Sequence, residues 1–535
     1  MQQLNDYFAS RLIEKIFPSI CYFIIFFLII IPFFSIIHLY EFQSLEKIYS
    51  SYYLRVILFT ISQSFLSCIL SITLGIFAAH LFFKHRNIKI LKKLISLMPL
   101  IFVSPTLIIV LGVISLYGVS GIINKFFLEF FGQSISIYGI LGIVLCHVVL
   151  NFPIVIRVMY QSLTEVSSDE WALADHTNIK GLGLFKSIEW PALKRNIPSL
   201  SVLIFFLCFV SFIPVLVLGG GPKFSTLEVA IYQSILYEFN FVKGLNLIFI
   251  QIFISSIFFY LFFYIYKKEK FILSENKKFQ SSTKFSQKFI LDYFLIIIFL
   301  LFIFSPLIMI FINGVSEKIV FIFYSSYFWN SLKSTFIISF FSGLFSVIIS
   351  FGAMNFIYSF KNISNHKKLE FMIFLPLVIS PIMISAGYYI LLKQILSLNI
   401  PSILIIILIN SIFTIPFSYS FLITSFKRLK KEHEEASKVL LIKGWKKFIL
   451  IDWPKLKGPF ATAFATSSII SAGDLAVISF LGTNDLSTIN QSIYRLMGNY
   501  RIDEAQSLSL FLLIYCILYF IFSKILINKI GFKIS

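Results

Sequence analysis

Charge is scarce in this chain: Asp, Glu, Lys and Arg make up 13% of its 535 residues, about half the share of an ordinary soluble domain. With 58% of residues hydrophobic, that shortage excludes a water-soluble fold. Cysteine is sparse too. The five present, Cys21, Cys68, Cys146, Cys208 and Cys516, fall inside apolar stretches without paired spacing, which argues against a zinc site or a disulfide framework. No Gly-x-x-x-x-Gly-Lys-Ser/Thr phosphate loop occurs, so the chain has no nucleotide-hydrolysing site of that kind. No His, Cys or carboxylate cluster recurs at ligand or acid–base spacing, which argues against a membrane enzyme.

What the chain does have is long apolar runs. A spanning helix needs roughly 20 mostly apolar residues, and twelve such windows are expected. Six lie at 16–38, 56–83, 94–117, 136–156, 198–219 and 245–266, and six at 290–312, 334–360, 371–392, 399–426, 459–481 and 506–523. The first window lacks a small-residue cleavage site after it and reads as a retained helix rather than a signal peptide. The expected fold is therefore an all-α integral membrane protein.

The formal charge of +20 raises the question of nucleic acid, and the position of the basic residues answers it. Placing both termini in the cytoplasm puts 35 of the 45 Lys and Arg on inside segments, as the positive-inside rule requires. The charge then serves the anionic inner face of the lipid bilayer, and no nucleic acid partner is expected. A polar stretch at 267–288 with seven Lys reads as a cytoplasmic linker between two transmembrane halves, 1–266 and 289–535.

Those halves are related. An offset of 263 residues superposes Pro153 on Pro416, Gly181 on Gly444, Phe185 on Phe448, Trp190-Pro191 on Trp453-Pro454 and Gly219 on Gly482. Pro99-Leu100 and Ser104-Pro105 match Pro376-Leu377 and Ser380-Pro381 with a small shift. Two six-helix repeats of the same topology imply an axis along the membrane normal, with the solute pathway between them.

The longest inside loop of each half carries one pattern. The first reads Ala172-Leu173-Ala174, then Lys180-Gly181, then Ile188-Glu189-Trp190-Pro191; the second reads Glu435-Ala436-Ser437, then Lys443-Gly444-Trp445, then Ile451-Asp452-Trp453-Pro454. These resemble the EAA loop of ABC import permeases. The resemblance implies two type I permease repeats, and short helices that sit in grooves of two copies of a cytoplasmic ABC ATPase subunit. It implies no cofactor bound by this chain, ATP being used by those partners. Asn178 and Leu441 stand where the family has glycine. Left-handed backbone is accessible to Asn but costly for Leu, so the turns are expected at Gly181 and Gly444.

Two fused halves narrow the resemblance to the thiamine and ferric iron permeases of the bacterial inner membrane. The thiamine permeases are matched more finely, at Leu111–Gly118, Tyr138–Ile143, His147–Pro153, Leu218–Lys223, Ile470–Asp474 and Met497–Arg501. That implies thiamine or its phosphate esters as solute and a periplasmic thiamine-binding protein as partner. Ferric iron stays open as an alternative. An ion-coupled secondary transporter would place several ionisable residues in its helices. Here Asp474 is the one acidic residue expected well inside a helix, opposite uncharged Ser211 at the 263 offset. It is a candidate for the substrate pathway, with a structural hydrogen-bonding role as the alternative.

Overall fold

The computed structural model describes residues 16–39, 51–268, 290–360, 363–392, 400–440, 444–483 and 486–529, and all of its regular structure is helical. In the first half these are α1 (Phe17–Leu39), α2 (Ser51–Lys84), α3 (Lys89–Val103), α4 (Thr106–Tyr117), α5 (Ile122–Phe131), α6 (Ile140–Thr164), α7 (Ser168–His176), α8 (Ile197–Phe209), α9 (Ile213–Leu218), α10 (Leu227–Leu236) and α11 (Phe241–Lys268). The second half has α12 (Ile290–Gly314), α13 (Lys318–Tyr324), α14 (Ser326–Ile357), α15 (Ile363–Ile373), α16 (Pro381–Ile390), α17 (Ser402–Val439), α18 (Trp453–Ala472), α19 (Ala476–Leu481), α20 (Ile489–Gly498) and α21 (Ile502–Lys529). Apolar sequence in lipid must satisfy its backbone internally, and the helix does so within one segment. Among the described residues nine helices are long and apolar enough to cross a membrane, or up to eleven if two bent pairs each count as one span.

Four expected spans are broken, the same two in each half. The windows 94–117 and 371–392 break at Ser104-Pro105 and Ser380-Pro381, where proline pushes the residue before it out of the helical region. Ser104 has ψ 144° and Ser380 ψ 137°. The windows 198–219 and 459–481 break at 210–212 and 473–475. The linker at 267–288 lies, but for its first two residues, outside the described residues.

The helices form two compact units. One gathers α2–α9 with α12. There Phe152 and Ile156 of α6 and Phe82 of α2 share a core with Ile296 and Ile303 of α12. Asp292, at the start of α12, lies 2.7 Å from Lys84 and 3.0 Å from His85. The other unit gathers α1 with the helices from α13 onward. Cys21 of α1 lies where a Cβ on Gly352 would be, and Ser35 donates a 2.8 Å hydrogen bond to the Gly387 carbonyl. The compact units thus differ from the sequence halves in the membership of the first helix of each half and of Ile231–Ile252, which joins the unit of the second half.

One arrangement occurs in both units. Gly112 of α4 lies against the backbone of Pro306 in α12, and Gly387 of α16 lies against Pro32 in α1. Glycine admits that approach because a helix without a Cβ lets a second backbone come close.

Candidate functional site

The loop between α6 and α8 begins with a serine N-cap. Ser167 accepts the Glu170 N–H and donates to its carboxylate, both at 3.2 Å, which stops α6 and starts α7. Trp171, 1% exposed, packs on Phe83 at the end of α2 with ring centroids 5.5 Å apart. Ala174 is buried on the same helix, whereas Ala172 is half-buried. The chain reverses through Asn178 and Gly181, with φ of 53° and 57°. The turn expected at Gly181 is present, and Asn178 also takes a positive φ.

The second loop is built on a longer helix. With no capping sequence to interrupt it, α17 runs unbroken through Glu435, Ala436 and buried Ser437 to Val439. Leu441 lies outside the described residues. Gly444 has φ 59° and opens a helical turn that includes Trp445.

Past each glycine the two loops converge on one geometry. Phe185–Glu189 and Phe448–Asp452 are both wide π-helical turns, and the Trp190 and Trp453 N–H groups reach back to the Phe185 and Phe448 carbonyls. Pro191 and Pro454 follow; proline has no N–H to close an ordinary turn and its ring crowds the carbonyl four residues back, a local disturbance of the kind that widens a turn. In each loop the phenylalanine and tryptophan rings lie together, 6.1 Å and 5.9 Å between centroids. Ile188 and Ile451 are half-buried, and Pro191 and Pro454 are exposed.

A carboxylate that the sequence reading passed over sits at the end of each turn. Glu189 is 1% exposed and Asp452 8% exposed. Oε2 of Glu189 lies 2.6 Å from Nδ1 of His80 on α2, close in distance but off the line of an aligned hydrogen bond. Burial pushes the Asp452 carboxyl up to about 6, against the pull of Lys447 and Lys430. The signal that could have found both is an acid placed beside an apolar Trp-Pro pair, twice, at the 263 offset.

The loops also leave apolar side chains in the open. Leu182 is 79% exposed, and Leu173, Val439 and Leu440 are exposed as well. Large exposed apolar groups grouped on one feature mark an interaction surface.

Asp474 is placed differently from expectation. It lies not inside a helix but at the break between α18 and α19, where its carboxylate accepts the N–H groups of Ala476 at 3.1 Å, Val477 at 3.3 Å and Ile478 at 3.4 Å. An acid there satisfies the open donors of the α19 start. The Asn410 side chain of α17 also reaches the carboxylate, and Asn410 donates to Ser471 at 3.1 Å. Ser211 lies at the matching break between α8 and α9.

Among proteins of known function, the thiamine transport system permease protein of Haemophilus influenzae is 32% identical to this chain over 486 residues, covering 88% of each. The chain belongs to the thiamine transport system permease family. Its members from Escherichia coli, 29% identical over 483 residues, and Brucella abortus, 28% over 473, cover the chain to the same 88%. No family model matches the chain. Membership of this permease family, with multiple apolar spans, makes the chain a multi-span membrane transport subunit.

Proposed function

We propose that this chain is the permease of an ATP-driven importer that carries thiamine across the bacterial inner membrane, with both termini in the cytoplasm. The observation that carries the reading is similarity to thiamine permeases along 88% of the chain. The halves 1–266 and 289–535 are the two repeats, joined by the cytoplasmic linker 267–288.

The loops at 165–197 and 428–458 are the seats of two copies of a separate cytoplasmic ABC ATPase subunit. Their exposed apolar side chains, above all Leu173, Leu182, Val439 and Leu440, supply the surface, and Gly181 and Gly444 set its shape. The residues assigned to the seats are Ala172, Ala174, Asn178, Gly181, Ile188, Trp190 and Pro191, and Glu435, Ala436, Ser437, Leu441, Gly444, Trp445, Ile451, Trp453 and Pro454. The chain itself binds no cofactor; its partners use ATP. A periplasmic thiamine-binding protein delivers the solute, which includes thiamine or its phosphate esters. ATP binding closes the ATPase pair beneath the loops and switches the pathway from outward to inward access, and hydrolysis resets it.

Asp474 is assigned to the substrate pathway in addition to its capping role. Its side chain is half-buried rather than sealed, and a carboxylate suits a solute with a fixed positive charge. Uptake of labelled thiamine and labelled ferric iron by cells with and without the gene tests the solute directly. Loss of thiamine uptake alone is expected; loss of iron uptake alone overturns the assignment.

A further inference from the structure

The two loops share their turns but not their attachment. Thr60 and Thr335 show how the helices α2 and α14 correspond: each accepts a backbone N–H, from Leu227 at 3.0 Å and from Ile489 at 2.9 Å. Each also donates to the carbonyl four residues before it. Twenty residues beyond Thr60 stands His80, and twenty beyond Thr335 stands Asn355.

His80 faces the first turn with both a ring nitrogen and the edge of its ring. Nδ1 lies 2.6 Å from the buried Glu189 carboxylate, and the ring meets Phe185 edge-on, 5.7 Å away. The Arg86 guanidinium also acts on Glu189. Asn355 does neither of these things; its side chain donates to the Phe351 carbonyl at 3.0 Å. Phe351 takes the ring's place against Phe448, 5.6 Å between centroids. Asp452, one carbon shorter than Glu189, has a buried oxygen without an aligned hydrogen bond just as Glu189 does, but the cations acting on it are Lys447 and Lys430.

We propose that His80 and Glu189 are positioning residues that latch the first loop to α2, and that the second loop, which lacks this latch, follows ATPase movement differently. A buried carboxylate is held in place only by a partner that offsets its desolvation, so the pair ties the loop backbone at Glu189 to the body of α2. In the second repeat Asn355 is turned to the Phe351 carbonyl instead, and the turn meets Phe351 of α14 through the Phe448 ring. The two ATPase strokes then reach the membrane helices through a stiff loop and a compliant one. This rests on the importer reading above.

The test uses the full chain with its ATPase and binding protein in proteoliposomes, and reads ATP hydrolysed per thiamine imported. H80N copies the residue of the second repeat. It is expected to raise the ATP per thiamine several-fold while leaving membrane abundance and the thiamine KM unchanged. E189Q should move the ratio in the same direction, and H80N with E189Q together should be no worse than the more severe single change, as for two members of one contact. N355A should leave the ratio within twofold of wild type. A wild-type ratio in H80N, or an equal shift in N355A, overturns the latch. If E189Q fails to accumulate, H80N and N355A decide. A wild-type complex with no ATP-dependent uptake overturns the importer reading and the latch with it.

Discussion

Gly112 meets Pro306 so closely that a Cβ on Gly112 would stand 2.2 Å from the Pro306 carbonyl oxygen. Gly387 meets Pro32 in the same way, with the Pro32 carbonyl oxygen 2.9 Å and its Cβ 2.5 Å from the added atom. Neither neighbour can yield cheaply, since backbone is involved at both. Overpacking of this kind costs about 1–3 kcal/mol or more. G112A and G387A should each lower the amount of protein recovered from membranes and its melting temperature in detergent. Normal abundance and melting of both variants would rule out these crossings.

Gly181 needs its backbone and not its space. A Cβ there meets nothing within 4 Å, so substitution costs only the backbone conformation, φ 57° with ψ −127°, which glycine adopts readily and residues with a Cβ do not. G181V should therefore insert normally but cut ATP-driven uptake several-fold, and G444V, at a glycine that also has positive φ, should cut it as well. Full uptake by both valine variants would remove the turns from the coupling mechanism.

The overall plan of the protein was legible in its sequence because a repeat states the same constraint twice. Apolar windows, the 263 offset and the glycine turns all follow from local chemistry. The breaks at Ser104-Pro105 and Ser380-Pro381 were legible in principle, since the pre-proline restriction is local, yet length and hydropathy alone favour continuous spans. What sequence could not supply was partnership across distance. Nothing local says that Pro32 meets Gly387 or that His80 meets Glu189, because each contact depends on how separate helices pack. Asp474 reads as an intramembrane charge only until the break beside it is known; the three backbone N–H groups then give it a structural task.

Asp474 separates its two tasks on substitution. Asn keeps an oxygen for the α19 start and loses the charge, whereas Ala loses both; loss of a cap costs typically about 1 kcal/mol. D474N should keep near-normal abundance with thiamine uptake reduced several-fold and ATPase stimulation still measurable. D474A should lose abundance as well. Unchanged uptake in D474N would remove Asp474 from the pathway.

Orientation is open to cysteine labelling, because the native cysteines are all buried. Ser225 is a poor external probe at 4% exposure, and Glu238, in the exposed turn after α10, is a better one. A cysteine at Glu238 should react with a membrane-impermeant reagent in intact cells, and one at Ser282 should react only after the membrane is opened. The reverse pattern would invert the proposed topology.

The energy source is the most direct test of the whole account. The chain, reconstituted in proteoliposomes with its ATPase and thiamine-binding partners, should accumulate labelled thiamine with ATP and not with ADP, and an ionophore that collapses ion gradients should leave the rate unchanged. Accumulation that proceeds without ATP and stops with the ionophore would contradict an ATP-driven importer and identify an ion-coupled transporter instead.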